Sequence, residues 1–139
     1  MPPQIHGAVT LLQVFDMPTS LRFYRDVLGF EVVQRSQPAD DCGWAWLRAG
    51  DAEIMLNTAY EAEHRPPEPD PARLAAHADT VLYFGCPDVD AAFAYLRASG
   101  VPAAEPSTAP YGMRQLNFSD PDGYAICYQW PADAEPGRA

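Results

Sequence analysis

The chain carries the same pattern twice. Phe15-Asp16-Met17-Pro18-Thr19-Ser20-Leu21-Arg22-Phe23-Tyr24 and Pro87-Asp88-Val89-Asp90-Ala91-Ala92-Phe93-Ala94-Tyr95-Leu96 align at an offset of 72 residues, Asp16 on Asp88 and Phe23 on Tyr95. In each copy an apolar run precedes the Asp, a Gly closes the helix (Gly29, Gly100), and two further apolar runs follow. A repeated supersecondary unit stacks on its twin because one copy cannot bury its own apolar face. The repeat therefore predicts two like modules with a cleft between them.

Each copy reads as βαβββ. Ala8 to Val14 is a strand; Asp16 is a helix cap, with Pro18 tolerated in the first turn. Leu21, Tyr24, Val27 and Leu28 recur at helical spacing up to Gly29. Phe30 to Gln34 is a second strand, and Trp44–Leu47 and Glu53–Asn57 flank a hairpin turn at Ala49-Gly50-Asp51. The second copy begins with Thr80 to Gly85. Asp88 then caps a helix whose stripe is Val89, Ala92, Phe93 and Leu96. Val101 to Ala104 is a short strand. Arg114–Phe118 and Tyr124–Trp130 flank the turn Asp120-Pro121-Asp122-Gly123. The expected organisation is one α+β domain: a module over 8–58, a Pro-rich linker over 59–78, a module over 79–130 and a frayed tail over 131–139. A short helical turn fits Ala72 to Ala76 in the linker.

Alternation sorts the strand residues onto two faces. Ile54, Leu56, Leu116, Phe118, Tyr124, Ile126 and Tyr128 are bulky and belong under the helices. Glu53, Met55, Asn57, Gln115, Asn117, Cys127 and Gln129 take the other, mixed face, as does Tyr83. Trp44, Trp46 and Arg48 share one parity, and placing them on the mixed face makes a stacking platform. The same tryptophans equally fit a core or subunit seal. The amides fit neutral hydrogen bonding to a polar ligand, and Arg48 and Arg114 fit a ligand carboxylate or phosphate. Arg114 has the helix-side parity. The expected ligand-binding residues are Trp44, Trp46, Arg48, Met55, Asn57, Tyr83, Gln115, Asn117, Cys127 and Gln129.

Charge narrows the partners. With 9 Lys and Arg against 19 Asp and Glu, the net charge is −10, which argues against nucleic acid. An acidic chain attracts cationic ligands. However, Glu61, Glu63, Glu68, Asp70, Asp133 and Glu135 lie in the linker and tail, where solubility is the simpler reading. No apolar run approaches a membrane span, and the N-terminus does not read as a signal peptide. Cys42, Cys86 and Cys127 are odd in number and widely spaced, as reduced thiols of a cytoplasmic protein are. There is no Gly-rich phosphate loop, nucleophile elbow or Cys-x-x-Cys.

Ser20-Leu21-Arg22-Phe23-Tyr24-Arg25-Asp26-Val27-Leu28-Gly29-Phe30, Asp88-Val89-Asp90-Ala91-Ala92 and Asp120-Pro121-Asp122-Gly123-Tyr124, in this order, resemble the vicinal oxygen chelate superfamily. That superfamily includes glyoxalase I, the extradiol dioxygenases and the bleomycin resistance proteins. The resemblance spans residues 8 to 130 and implies a curved mixed sheet with outer helices and a homodimer. It does not specify a reaction. It implies that metal-dependent members hold their ion at positions filled here by Val9, Met55, Val81 and Cys127. A one-residue register shift supplies no better set. Glu53 is a single carboxylate, and His6, His64 and His77 share no metal-ligand spacing. The expectation is therefore no metal and no cofactor. Trp44-Ala45-Trp46-Leu47-Arg48-Ala49-Gly50-Asp51 resembles the third-strand stretch of bleomycin resistance proteins, and a small-molecule binding protein of that type follows. The alternative is a glyoxalase-like lyase or dioxygenase; a metal-free enzyme using Tyr83, Glu53 or Cys127 is a third reading.

Overall fold

The computed structural model describes residues 1–133, so residues 134–139 of the expected tail lie outside the described residues. The chain divides into two compact units, Met1–Pro66 and the residues from Pro67 onward. The first contains β1 (Thr10–Val14), α1 (Met17–Leu21), β2 (Glu31–Arg35), β3 (Trp44–Ala49) and β4 (Ala52–Thr58). Its sheet has the order β1-β4-β3-β2, with β1 parallel to β4 and the other pairs antiparallel. The second unit contains α2 (Pro71–His77), β5 (Val81–Gly85), α3 (Val89–Ala98), β6 (Ser107–Thr108), β7 (Met113–Ser119) and β8 (Ala125–Pro131). Its sheet order β5-β8-β7-β6 repeats the first, again with one parallel pair, β5 and β8. Two βαβββ modules of α+β class are thus present. No helix among the described residues is long and apolar enough to cross a membrane.

The repeated Asp starts a helix in the same way in both units. Asp16 accepts from the Thr19 backbone N–H at 3.1 Å, and Asp88 accepts from that of Ala91 at 3.0 Å. Each satisfies one of the donors that a helix start leaves without an intrahelical partner. The first helix then departs from expectation. From Arg22 to Val27 it widens into a π-helical turn, in which the Leu28 N–H donates to the Phe23 carbonyl five residues back at 2.9 Å. A wider turn rotates less per residue, so the consecutive rings of Phe23 and Tyr24 both turn inward, 9% and 0% exposed. They meet edge to face with centroids 5.0 Å apart.

The expected strand over Val101–Ala104 is corrected. Only one bridge forms there, Ala103 to Phe118, and the ladder to β7 resumes at Ser107 and Thr108. Pro102 and Pro106 lack the N–H that a continuous ladder requires.

The Pro-rich segment contributes a packed element. α2 is capped by Asp70, which accepts from the Ala72 N–H at 2.9 Å, and it lies against the turn before β8. His77 stacks on Tyr124, with centroids 4.0 Å apart and planes 7° from parallel. Its Nδ1 lies 2.7 Å from the Asp122 carbonyl; a carbonyl only accepts, so Nδ1 carries the proton. Gly123 has φ +87°, and a Cβ there would sit 2.3 Å from the Leu74 carbonyl oxygen. Only glycine allows α2 this approach.

Asp16 also meets Arg65 Nη1 at 2.8 Å. Burial opposes its ionisation. The Thr19 hydrogen bonds and Arg65 outweigh that and hold the carboxyl below its ordinary 3.8. Asp16→Ala is expected to lower the unfolding free energy by about 1 kcal/mol near neutral pH. A depressed carboxyl pKa stabilises fully above the unfolded value and loses that contribution as pH falls through the folded value. Urea unfolding of both proteins near neutrality and at about pH 2 should therefore show a gap that narrows in acid.

Candidate functional site

The period of two decides which side chains each sheet offers. In the first unit, Leu12, Val14, Ala45, Leu47, Ile54 and Leu56 are at most 1% exposed and form the core face. Their neighbours in sequence must point the other way. That opposite face carries Leu11 and Gln13 from β1, Glu53, Met55 and Asn57 from β4, and Trp44, Trp46 and Arg48 from β3. Cross-strand register sets Leu11 beside Met55, Gln13 beside Asn57, Trp46 beside Met55 and Trp44 beside Asn57. On β2 a bulge between Val32 and Gln34 leaves Val33 unopposed and brings Gln34 against Trp46.

Arg48 is already engaged. Its guanidinium meets Glu53 at 2.9 Å and lies 5.7 Å from the Trp46 ring centroid. The pair leaves this face close to neutral, with the aromatic surface dominant. Asn57 Nδ2 donates to Gln13 Oε1 at 3.2 Å and to its neighbour's carbonyl, that of Thr58. Gln13 is a polar member of this face that sequence reasoning missed; its parity with Val9 on the same strand was the available signal. The Trp46 indole N–H is buried without an acceptor, an arrangement that costs about 1–3 kcal/mol.

In the second unit, Leu116, Phe118, Tyr124 and Ile126 are at most 7% exposed and form the core face. Opposite them lie Val81 and Tyr83 of β5, Gln115 and Asn117 of β7, and Cys127 and Gln129 of β8. Tyr83 pairs with Cys127, Cys127 with Asn117, and Gln129 with Gln115. Tyr83 is 57% and Val81 44% exposed. Gln115 Nε2 donates to Gln129 Oε1 at 3.1 Å and to the Tyr111 hydroxyl at 2.8 Å. Tyr111, in the turn before β7, joins this face through that bond; the sequence reads Tyr111-Gly112-Met113-Arg114 as a loop and strand start near the cleft mouth. Arg114 points to the helix side and pairs with Asp90 of α3 at 2.7 Å.

Cys127 shares this face's parity but is only 1% exposed. Burial pushes its thiol up from the ordinary 9.0, against a smaller opposing effect of the Leu116 backbone. A nucleophile needs the reverse shift. Burial likewise raises the Cys42 and Cys86 thiols. The three histidines stand on separate elements. His77 is committed to Tyr124 and Asp122, while His64 stands in a short 3-10 turn over Ala62–His64 and His6 precedes β1.

The donor set at the metal positions implied by the family resemblance is two valines, a thioether and a buried thiol: Val9, Val81, Met55 and Cys127. Hard divalent cations take oxygen and nitrogen ligands, so these residues do not fit such an ion. Among the described residues no group of three His, Cys, Asp or Glu is placed to hold one either.

The sequence model of the Glyoxalase/Bleomycin resistance protein/Dioxygenase superfamily matches residues 6–128. No curated protein matches the chain significantly. Among solved structures, TnmS3, described as an antibiotic binding protein from Streptomyces sp. CB03234, is 26% identical. Its TM-score is 0.63, with 93% of this chain and 99% of that one covered. TioX from Micromonospora sp. ML1 is 18% identical with a TM-score of 0.67, covering 88% and 98%. A glyoxalase/bleomycin resistance protein/dioxygenase from Nocardioides is 23% identical with a TM-score of 0.61, covering 99% and 92%.

The thiols differ in access. Cys42 and Cys127 are buried and Cys86 is half-buried. Ellman's reagent should modify Cys86 first in the native protein and reach the other two only on unfolding. Because the Cys86 thiol is raised, its rate should still be climbing as pH passes 9.0.

Proposed function

This chain belongs to the glyoxalase/bleomycin resistance protein/dioxygenase superfamily, and within it we propose a metal-free binding protein that sequesters a small molecule. The carrying observation is the donor set: Val9, Met55, Val81 and Cys127 fill the positions at which the family resemblance implies metal ligands. A lyase or dioxygenase of this family activates its substrate on a metal, and these four side chains offer no oxygen or nitrogen to one.

What the faces do offer suits binding. Trp44 and Trp46 present aromatic surface, Met55 lies between strands as an adaptable thioether, and Asn57, Gln115, Asn117 and Gln129 are neutral hydrogen-bonding groups. Tyr83 adds an exposed ring and hydroxyl. The ligand that fits is planar or partly aromatic, with polar atoms at its rim. The likeness to TnmS3, an antibiotic binding protein by its description, supports a natural-product ligand.

A homodimer is part of the proposal. β1 and β5 are sheet edges and carry the exposed Leu11, Val81 and Tyr83; edges of this kind are ordinarily covered. The free state of the three thiols agrees with a reducing cytoplasm.

Equilibrium titration with a panel of glycopeptides, planar cations and neutral aromatic natural products, read by Trp fluorescence, tests the binding role. A saturable change is expected with at least one class. Trp46→Ala should weaken that ligand by about three- to tenfold, the worth of one stacking contact. No response from any class, or stoichiometric Zn, Ni, Mn or Fe in protein purified without a His tag, would overturn the reading. Sedimentation should give twice the chain mass.

A further inference from the structure

A row of charge crosses the first unit's sheet beside its tryptophans. Register sets Glu31 of β2 beside Arg48 of β3, and Arg48 beside Glu53 of β4. Residues opposed in this way project from the same face, so the one basic group of the row stands between two acids. Arg48 satisfies only part of that demand. Its Nε and Nη2 both meet a single oxygen, Glu53 Oε1, at 3.0 and 2.9 Å. Glu53 Oε2 receives no bond from it. Among the described residues the exposed Glu31 enters no ion pair.

Trp46, two residues back on β3, supplies a ring to the same cation: Arg48 Cζ lies over it, 5.7 Å from the centroid. Ring and carboxylate thus converge on one point, and the guanidinium marks that point by occupying it. Everything around it favours a cation. The ring quadrupole attracts positive charge, the carboxylate matches planar N–H donors, and the second acid repels an anion. The present occupant is loosely held. The Arg48 side chain is 48% exposed against 27% for Glu53. Exposed ion pairs are weak, and the long arginine stem can swing into solvent while the shorter glutamate stays on its strand.

We propose that Arg48 holds the place of a ligand's cation: the first unit's face binds a planar amidinium or guanidinium carried on an aromatic ring, which displaces Arg48 from Trp46 and pairs with Glu53. The proposal rests on the small-molecule binding reading above and specifies the ligand class within it. Arg48 is then an internal competitor that sets the affinity threshold, and Glu53 is the group that selects for positive charge.

Naphthamidine, naphthamide and naphthoate are the probes; they share a planar shape and carry a positive charge, none and a negative charge. Isothermal titration calorimetry with the full-length protein should give naphthamidine about fivefold or more tighter binding than naphthamide, with naphthoate the weakest. The naphthamidine affinity should fall about threefold or more between about 50 and 500 mM NaCl as the charge pair is screened. Arg48→Gln should raise the naphthamidine affinity about three- to fivefold, the worth of the exposed ion pair no longer displaced. Glu53→Gln should bring naphthamidine and naphthamide within about twofold of each other. Both variants break the same surface pair, so a merely structural role would move the affinity the same way in each; opposite directions are the signature of competition. Far-UV circular dichroism checks that both fold. Equal binding of naphthamidine and naphthamide, tightest binding of naphthoate, or an Arg48→Gln variant no better than the parent would overturn the assignment while leaving the binding-protein reading intact. So would no binding of any of the three by a protein that binds another ligand of the panel. Failure of every ligand would sink both.

Discussion

Successive residues of a strand face opposite ways, and three paired strands in the first unit, and β7 with β8 in the second, bury one of those two sets. Leu12 and Val14, Ala45 and Leu47, Ile54 and Leu56 cannot leave the core of the first unit without exposing the whole apolar set. That single requirement sends Trp44, Trp46, Met55, Asn57, Leu11 and Gln13 to the other face in register. The second unit repeats it with Leu116, Phe118 and Ile126 inward and Gln115, Asn117 and Gln129 outward. The candidate site is thus a by-product of core formation: the hydrophobic effect acting on one face arrays the functional groups on the other.

The remaining interactions fasten helices and turns to that frame. Asp16, Asp70 and Asp88 cap helix starts, and the buried Asp120 accepts the N–H groups of Asp122 and Tyr124 to hold the last tight turn. Arg25 bridges Asp26 and Asp40 on the surface of the first unit; hydrogen bonds to Arg25 hold both carboxyls below the ordinary range. Much of the acidic excess is therefore spent on caps and ion pairs or lies on outer surfaces. The net charge describes the protein's solubility better than its site.

Chemically, the two faces differ. The first unit's face is aromatic, with an ion pair, Arg48 and Glu53, that neutralises itself. The second unit's is amide and phenol, without charge. Neither carries a set of groups that would hold a divalent cation or ionise a thiol. Stacking and neutral hydrogen bonding are what these side chains do well, and they are the forces by which a binding protein retains a ligand without changing it.

Most of this architecture was legible in the chain because it rests on local and periodic signals. The repeated Asp caps, the closing glycines and the alternation of apolar residues specify two βαβββ modules and assign each strand residue to a face. Parity placed Arg114 on the helix side, where Asp90 meets it. Other features depended on contacts between distant residues. The π turn arises from packing two adjacent rings, Phe23 and Tyr24, into one core. Pro102 and Pro106 moved a strand because the ladder needs donors at those positions. α2 settled on Gly123 through a backbone approach that no spacing announces. The commitment of Gln115 to Tyr111 and Gln129 likewise appears only when a turn and two strands meet. The sequence by itself determined which side of each sheet a residue occupies, since that follows from a period of two. Tertiary structure alone decided which polar atoms remain free there, because hydrogen bonds between distant residues use up some and leave others.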